Sequence, residues 1–267
     1  MEHAEKITLF AEPLGHIAGF PITNSIIAST ASTLIILLLV LFLRKKVLPG
    51  KLQSIFELLI EGALSLADQV TNDRKISEKV MPLGLAIFVF VLLNNWFGLL
   101  PLSGIFFDGS PFFRGGTADV NTTIALALIA VIGANIFGIF SLGIWKTFNK
   151  YVNLKALHKG ARHAVKEPTG LIVAPVMFFV GILELIGEFA KVASLSFRLF
   201  GNVFAGEVLL ASMAAIVAYV LPLPFYFLEV MVGVIQALIF AMLATVYFTI
   251  AAQDHEEHEE HEAKHAH

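Results

Sequence analysis

Ionisable and polar side chains recur within an otherwise apolar stretch of the sequence, residues 183–210. A charged side chain at the centre of a membrane costs about 2.5–3.5 kcal/mol on insertion scales. Charges retained in such a stretch therefore indicate chemistry, and carboxyl groups among them can take up and release protons. The residues concerned are Glu184, Glu188, Lys191, Ser194, Arg198, Asn202 and Glu207.

Helical spacing places most of these side chains on one face. Steps of four and three residues alternate along the series Glu184, Glu188, Lys191, Leu195, Arg198 and Asn202. At about 100° per residue these positions form a single stripe, whereas Glu207 lies about 180° away from Arg198. A helix through this stretch would present an arginine to one neighbour and a carboxylate to another.

The chemistry of a guanidinium limits what Arg198 can do. Arginine keeps its proton in proteins, so it cannot pass a proton on. A fixed positive charge in a poorly screened place does favour the ionised form of a nearby carboxyl group. Arg198 would therefore deprotonate an arriving acid and repel protons that try to pass straight through. The alternative is an ion pair with Glu184 or Glu188 on the same helix.

The same stretch carries a pattern of residues known from one family. Residues 198–209 read R-L-F-G-N-V-F-A-G-E-V-L, which closely resembles the signature of subunit a of the F-type ATP synthases. Residues 118–128, A-D-V-N-T-T-I-A-L-A-L, resemble the start of another span of that family. The resemblance covers most of residues 26–252. It implies a non-catalytic stator subunit that carries protons past a rotating ring, with Arg198 as the barrier.

Two half-channels follow from this interpretation. Glu207 and Glu229 would exchange protons in a water-filled path that Asn202 and Gln236 also line. Glu229 and Gln236 are seven residues apart and share a helix face. Family members vary at the position of Glu229, where histidine also occurs. The alternative role for these side chains is hydrogen bonding between helices alone.

A second path would use the residues that precede Arg198. Glu184, Glu188, Lys191 and Ser194 lie on the same stretch of sequence and could form the other half-channel. Alternatively, Glu188 and Lys191 simply pair with each other, since they are three residues apart on a helix.

The partners implied are a ring of small two-helix subunits that each carry a carboxyl group, a peripheral-stalk subunit and, indirectly, an ATP-making sector. The sequence contains no G-x-x-x-x-G-K-[ST] loop, so nucleotide chemistry belongs on another subunit. We expect no cofactor, no metal site and no nucleic-acid partner. Two other classes remain open, a secondary cation transporter, which usually shows paired repeats, and a structural membrane anchor.

Composition indicates an all-α integral membrane protein. Hydrophobic residues make up 57% of the chain and charged residues 15%, and the mean hydropathy is +0.80. A soluble chain would carry roughly 25% charged residues. We predict about five membrane helices and one interfacial amphipathic helix. The predicted helices are approximately 26–43, 51–72 (interfacial), 80–100, 121–145, 170–220 and 225–252.

Two of these elements need a specific interpretation. Residues 51–72 have an apolar period of 3.6, which is typical of a helix at the membrane surface or packed on a soluble partner. Residues 170–220 would form a helix about 75 Å long, against a hydrocarbon core of about 30 Å. No proline lies between Pro175 and Pro222. We therefore predict one long, strongly tilted helix, followed by a second.

Basic residues set the expected orientation. They follow the first span at 44–46 and recur at 146–166, whereas Arg114 is the only basic residue between the second and third spans. The positive-inside rule then places the N-terminus outside and the C-terminus in the cytoplasm of a bacterial plasma membrane. Residues 1–25 form an irregular or short helical lead-in outside. Residues 253–267 form a disordered His/Glu-rich cytoplasmic tail, which could bind metal weakly.

Overall fold

The computed structural model describes residues 11–17, 19–44, 50–71, 74–100, 106–107, 110–111, 114–144, 170–217 and 220–252. Six long helices lie within these ranges. They are α1 (Asn24–Arg44), α2 (Gly50–Thr71), α3 (Arg74–Leu99), α4 (Val120–Leu142), α5 (Gly170–Ile216) and α6 (Pro222–Ala252).

Five of these helices, all except α2, are long and apolar enough to cross a membrane. The predicted fold class, an all-α integral membrane protein, is confirmed. Helix α5 runs without a break for 47 residues, which corresponds to about 70 Å. The prediction of one long helix rather than two shorter ones is therefore also confirmed. The tilt of α5 and α6 relative to a membrane stays a prediction.

Four helix boundaries differ from those predicted by three residues or more. Helix α5 ends at Ile216 rather than at residue 220, and α6 begins at Pro222 rather than at residue 225. Helix α3 begins at Arg74 rather than near residue 80, because the apolar pattern alone misses a polar first turn. Ser77 in that turn is buried and lies within hydrogen-bonding distance of the Thr71 hydroxyl on α2. Helix α4 ends at Leu142 rather than at residue 145. Gly143 there has a φ of 91°, a value that disfavours helix continuation.

Within the lead-in, residues 13–23 form a hairpin and not the irregular or short helical segment that the sequence predicts. Strands β1 (Pro13–Ile17) and β2 (Phe20–Thr23) pair in antiparallel register. Gly19 between them has a φ of 84°, which a residue without a side chain adopts readily. A second, shorter hairpin joins β3 (Phe106–Phe107) to β4 (Ser110–Pro111).

The helices form a bundle with two distinguishable ends. Helix α1 starts beside the first hairpin, and α3 ends, α4 starts, α5 ends and α6 starts at that same end. We call this the hairpin end and the opposite one the far end. A short 3₁₀-helix, Gly116–Ala118, contacts α1, α3, α4 and α5 at the hairpin end.

The core lies where α3, α4, α5 and α6 meet. Helix α6 packs against α3 and α4, and α5 packs against α4 and α6. Small side chains allow such close approach, since van der Waals packing rather than water exclusion drives helix association in a membrane. Helix α2 packs against α3 and α6, and α1 against α3. The core residues include Ile87, Val91, Ala127, Ala130, Leu195, Leu199, Ala237, Phe240 and Ala244.

Several predictions from the sequence fall on other parts of the chain. The basic loop at 146–166, residues 45–46 of the first basic run, and the His/Glu-rich tail at 253–267 lie outside the described residues.

Candidate functional site

Arg198 lies on the outside of the bundle. Its neighbours Leu195 and Leu199 are 1% and 0% exposed and pack in the core, whereas Arg198 itself is exposed. Arg198 makes no hydrogen bond or ion pair with any residue that the structure describes. Its positive charge is therefore presented outwards from α5.

The surface around Arg198 is built mainly from small side chains. Ala190, Ser194 and Gly201 are all exposed on the same side of α5 as Arg198. A β-carbon added at Gly201 would have nothing within 4 Å. Small residues at such a face let another helix approach closely. Ser194 thus lies with Arg198 on the exposed face rather than with Glu188 and Lys191.

A polar cluster towards the far end of the bundle connects three helices. Lys191 Nζ lies 2.6 Å from Glu188 Oε1, and Asn135 Nδ2 on α4 donates to Glu188 Oε2 at 3.2 Å. The Lys191 ammonium also lies 5.2 Å from the centre of the Tyr247 ring on α6, within the range of a cation–π contact. We call Asn135, Glu188, Lys191 and Tyr247 the far-end cluster. The intrahelical pair that the spacing allowed is present.

These contacts bear on the alternative role for Arg198. Glu188 is held by Lys191 and Asn135, and Glu184 is half-buried one turn earlier. The intrahelical ion pair between Arg198 and either glutamate is not formed among the described residues.

Asn202 and Gln236 connect α5 to α6 as the sequence suggested. Asn202 Nδ2 donates to Gln236 Oε1 at 2.7 Å, and Gln236 is only 3% exposed. The other amide atom, Gln236 Nε2, is buried and has no hydrogen-bond partner in the part of the chain that the structure describes. A buried donor in this condition costs about 1–3 kcal/mol, which a hydrogen bond to water would offset.

Glu229 lies against the backbone of α5. A β-carbon added at Gly206 would overlap both carboxylate oxygens of Glu229. Because Gly206 directly precedes Glu207, the two glutamates lie at the same level of the α5–α6 contact. Only glycine at position 206 leaves room for the Glu229 carboxyl group in this arrangement.

Glu207 has a partner that the sequence analysis missed. Arg114 Nη2 donates to Glu207 Oε2 at 2.9 Å, and the two side chains are 10% and 22% exposed. In the sequence, Arg114 indicates only the orientation of the chain. The one signal in the sequence was its position as the only basic residue between the second and third spans. We call Arg114, Asn202, Glu207, Glu229 and Gln236 the hairpin-end cluster.

A buried hydrogen-bond network lies beside this cluster. Thr117 Oγ1 donates to Asn95 Oδ1 at 2.8 Å, and Asn95 Nδ2 donates to the Gly233 carbonyl on α6 at 3.0 Å. Asn94 and Asn95 are 0% and 4% exposed. Both asparagines therefore face the protein interior, where they connect α3 to its neighbours.

Asp119 continues the same network. It is 4% exposed and accepts hydrogen bonds from the Ser25 hydroxyl at 3.4 Å and from the Asn121 backbone N–H at 3.3 Å. It therefore caps the N-terminus of α4, where backbone N–H groups need an acceptor. One turn further on, the Thr123 and Ser196 hydroxyls lie 3.1 Å apart and connect α4 to α5 two residues before Arg198.

Both clusters combine carboxyl and amide groups with one cationic side chain, and the carboxyl groups can take up and release protons. Within the described ranges there is no group of three or more histidine, cysteine, aspartate or glutamate side chains that could hold a metal ion.

The fold and the site together define an all-α integral membrane protein with ionisable groups on both sides of an exposed arginine. A model of the family described as ATP synthase A chain matches residues 26–249. The chain belongs to this family, so it is a non-catalytic subunit of the membrane sector of an ATP synthase.

Three relatives are similar to this chain over most of its length. The ATP synthase subunit a of Mycobacterium ulcerans is 32% identical over 248 residues, which cover 88% of this chain and 89% of the relative. That of Campylobacter concisus is 31% identical over 227 residues, covering 84% and 88%. That of Acidothermus cellulolyticus is 30% identical over 235 residues, covering 85% and 76%.

Proposed function

We propose that this chain is the stator subunit that carries protons between two offset half-channels and a rotating ring of carboxyl-bearing subunits. Arg198 is the barrier between the two paths. The observation that supports the proposal is the environment of Arg198. Arg198 is exposed, has no partner among the described residues, and lies on a face of small side chains that a second helix can approach.

The hairpin-end cluster forms the first half-channel. Glu207 and Glu229 supply the carboxyl groups, and the amides of Asn202 and Gln236 extend the polar path towards Arg198. The buried Nε2 of Gln236 supports this assignment because a donor there suits a hydrated path better than a dry helix contact.

The far-end cluster belongs to the second half-channel. Glu188 and Lys191 lie between α4, α5 and α6. Glu184 lies one turn nearer the far end and Ser194 one turn nearer Arg198. These four residues mark a route from the far end of the bundle to the face that carries Arg198.

The separation of the two clusters by Arg198 gives the mechanism. A neutral acid of the ring that arrives at Arg198 loses its proton, since the guanidinium favours the charged carboxylate. The same charge repels protons that would run directly between the half-channels. A membrane potential contributes only about 2.3 kcal/mol per proton per 100 mV. Several protons are therefore needed for each ATP, which requires a ring of many carriers.

The alternative of a secondary cation transporter has no support in the fold. Transporter sites are typically formed where membrane helices are broken, whereas α5 and α6 run without a break through both clusters. A purely structural anchor leaves the exposed Arg198 unexplained.

The assembly around the chain follows from the same proposal. The partners are the ring of two-helix subunits on the Arg198 face, a peripheral-stalk subunit, the surrounding bilayer and, indirectly, the ATP-making sector. The hairpin end faces the outside of a bacterial plasma membrane and the far end the cytoplasm. The protein has no cysteine, so a His16→Cys variant tests this orientation: labelling only from the cytoplasmic side would reverse it.

A conservative change at Arg198 tests the proposed barrier. Arg198→Lys keeps a positive charge, yet we expect almost no proton-driven ATP synthesis in membrane vesicles that contain the intact complex. Lysine can lose its proton on burial and lacks the planar fork of donors. Arg74→Lys, an exposed far-end arginine that pairs with Asp68 and Glu78, is the matched control and should be active. Wild-type synthesis by Arg198→Lys would reject the proposal.

A further inference from the structure

The ion pair between Arg114 and Glu207 connects two parts of the chain that are distant in sequence. The two residues are 93 positions apart in the sequence. The relative solvent exposure of their side chains is only 10% for Arg114 and 22% for Glu207. Arg114 precedes the 3₁₀-helix, whereas Glu207 lies on α5. A charge-assisted hydrogen bond in such a setting is stronger than a neutral one and fixes the orientation of the carboxylate.

The backbone next to Arg114 is held firmly against the bundle. A β-carbon added at Gly115 would lie 2.8 Å from the Gly98 Cα on α3, and one added at Gly116 would overlap Ser29 and Asn94. Both glycines therefore pack directly on the neighbouring helices. Arg114 is thus presented to Glu207 from a closely packed segment rather than from a free loop.

The hairpin-end cluster combines two carboxyl groups with one guanidinium. Glu229 lies against Gly206, the residue that precedes Glu207, so both glutamates belong to the same stretch of the α5–α6 contact. A guanidinium bonded to a carboxyl group favours the ionised form of that group. Arg114 bonds Glu207, and the Glu229 carboxyl group instead faces the α5 backbone. The two glutamates therefore have different environments.

We propose that Arg114 is a positioning residue that holds Glu207 as a fixed carboxylate, so that Glu229 is the group that carries the proton through the hairpin-end half-channel. This inference rests on the proposed function and assigns different roles to the two glutamates. Glu207 supplies a constant negative charge beside the path. Glu229 takes a proton from the hairpin end and releases it towards Gln236 and Asn202.

The test uses vesicles that contain the intact complex and an imposed proton gradient, with ATP synthesis as the readout. Arg114→Gln removes the charge while keeping a polar side chain, and we expect synthesis to fall about tenfold through loss of the charge-assisted bond. Arg114→Lys should retain more than half of the wild-type rate. The Arg114→Gln, Glu207→Gln double variant should be no slower than Glu207→Gln alone, because both changes remove the same pair.

A variant with the two charges of the pair exchanged distinguishes two roles for Arg114. In one role Arg114 positions the Glu207 carboxylate, and in the other it only connects its segment to α5. Arg114→Glu combined with Glu207→Arg restores an ion pair but moves the carboxylate off α5. We expect this variant to assemble, as judged by the amount of the chain in the membrane, and to remain as slow as Arg114→Gln. Full recovery of synthesis would show that the pair is only a tether and would overturn the proposal. Arg74→Gln, which removes an arginine paired at the far end, is the matched control.

The remaining outcomes are also decisive. A wild-type rate for Arg114→Gln, or an equal loss for Arg114→Lys, would overturn the role of the charge. If Arg114→Gln fails to assemble, the lysine variant and the double variant still test the pairing. Arg198→Ala in the same assay distinguishes the two proposals. If it stops synthesis while Arg114→Gln does not, this inference alone fails, whereas continued synthesis in Arg198→Ala removes the proposed function itself.

Discussion

Two arginines in this chain carry the same charge in opposite surroundings. Arg114 is nearly buried and bonded to Glu207, whereas Arg198 is exposed and has no partner among the described residues. A paired guanidinium organises the residues of its own chain. An unpaired one remains available to a group from another subunit, which is what a barrier facing a rotating acid requires.

The two glutamates of the hairpin-end cluster should respond differently to neutralisation. Glu229→Gln keeps the shape but removes the titratable group, so we expect proton-driven ATP synthesis to fall by at least about a hundredfold, as for a lost acid–base group. In Glu207→Gln, ATP synthesis should fall less, because this change removes a fixed charge beside the path but not the group that carries the proton. ATP synthesis rates in vesicles measure both. If both variants synthesise ATP at the wild-type rate, the proposed half-channel at the hairpin end is excluded.

At the scale of the helices, the contact between α5 and α6 determines whether the hairpin-end cluster can form. Gly206→Ala adds a methyl group where the Glu229 carboxyl group now lies. We expect this carboxyl group to move and ATP synthesis to fall, although alanine is the better helix former by about 1 kcal/mol. Gly187→Ala on the same helix is the matched control, since nothing lies within 4 Å of a β-carbon there. Equal activity of the two variants would contradict the close contact.

The helices also show which features could be predicted from the sequence. Periodicity and length predict α5 as one continuous helix, and spacing predicts the Glu188–Lys191 pair, because local geometry alone determines both. The Asn202–Gln236 bond requires only that two adjacent helices be antiparallel. The Arg114–Glu207 pair depends on the path of a loop that no helical or strand period describes.

Other departures from the predictions have a similar origin. Asn95 lies near the end of α3, where no helical period predicts burial, yet its hydrogen bonds to Thr117 and the Gly233 carbonyl place it inside the bundle. The hairpin of β1 and β2 could not be separated from an irregular lead-in, since its register depends on a turn at Gly19. Tertiary contacts, rather than local propensity, determine these features.

At the scale of the whole molecule, two polar clusters lie on either side of one exposed positive charge. The hairpin-end cluster is formed by α5, α6 and the segment at Arg114, and the far-end cluster by α4, α5 and α6. No described hydrogen bond joins the two clusters directly. In the proposed mechanism, protons pass from one cluster to the other only when a partner carries them past Arg198.

The most direct test of this account is the behaviour of Arg198→Ala in vesicles that contain the assembled membrane sector. Two quantities are measured in the same preparation, ATP synthesis driven by an imposed proton gradient and passive proton leakage after the catalytic sector is removed. Because the deprotonating charge and the barrier disappear together, the account predicts that synthesis stops while leakage persists or rises. ATP synthesis near the wild-type rate would contradict it.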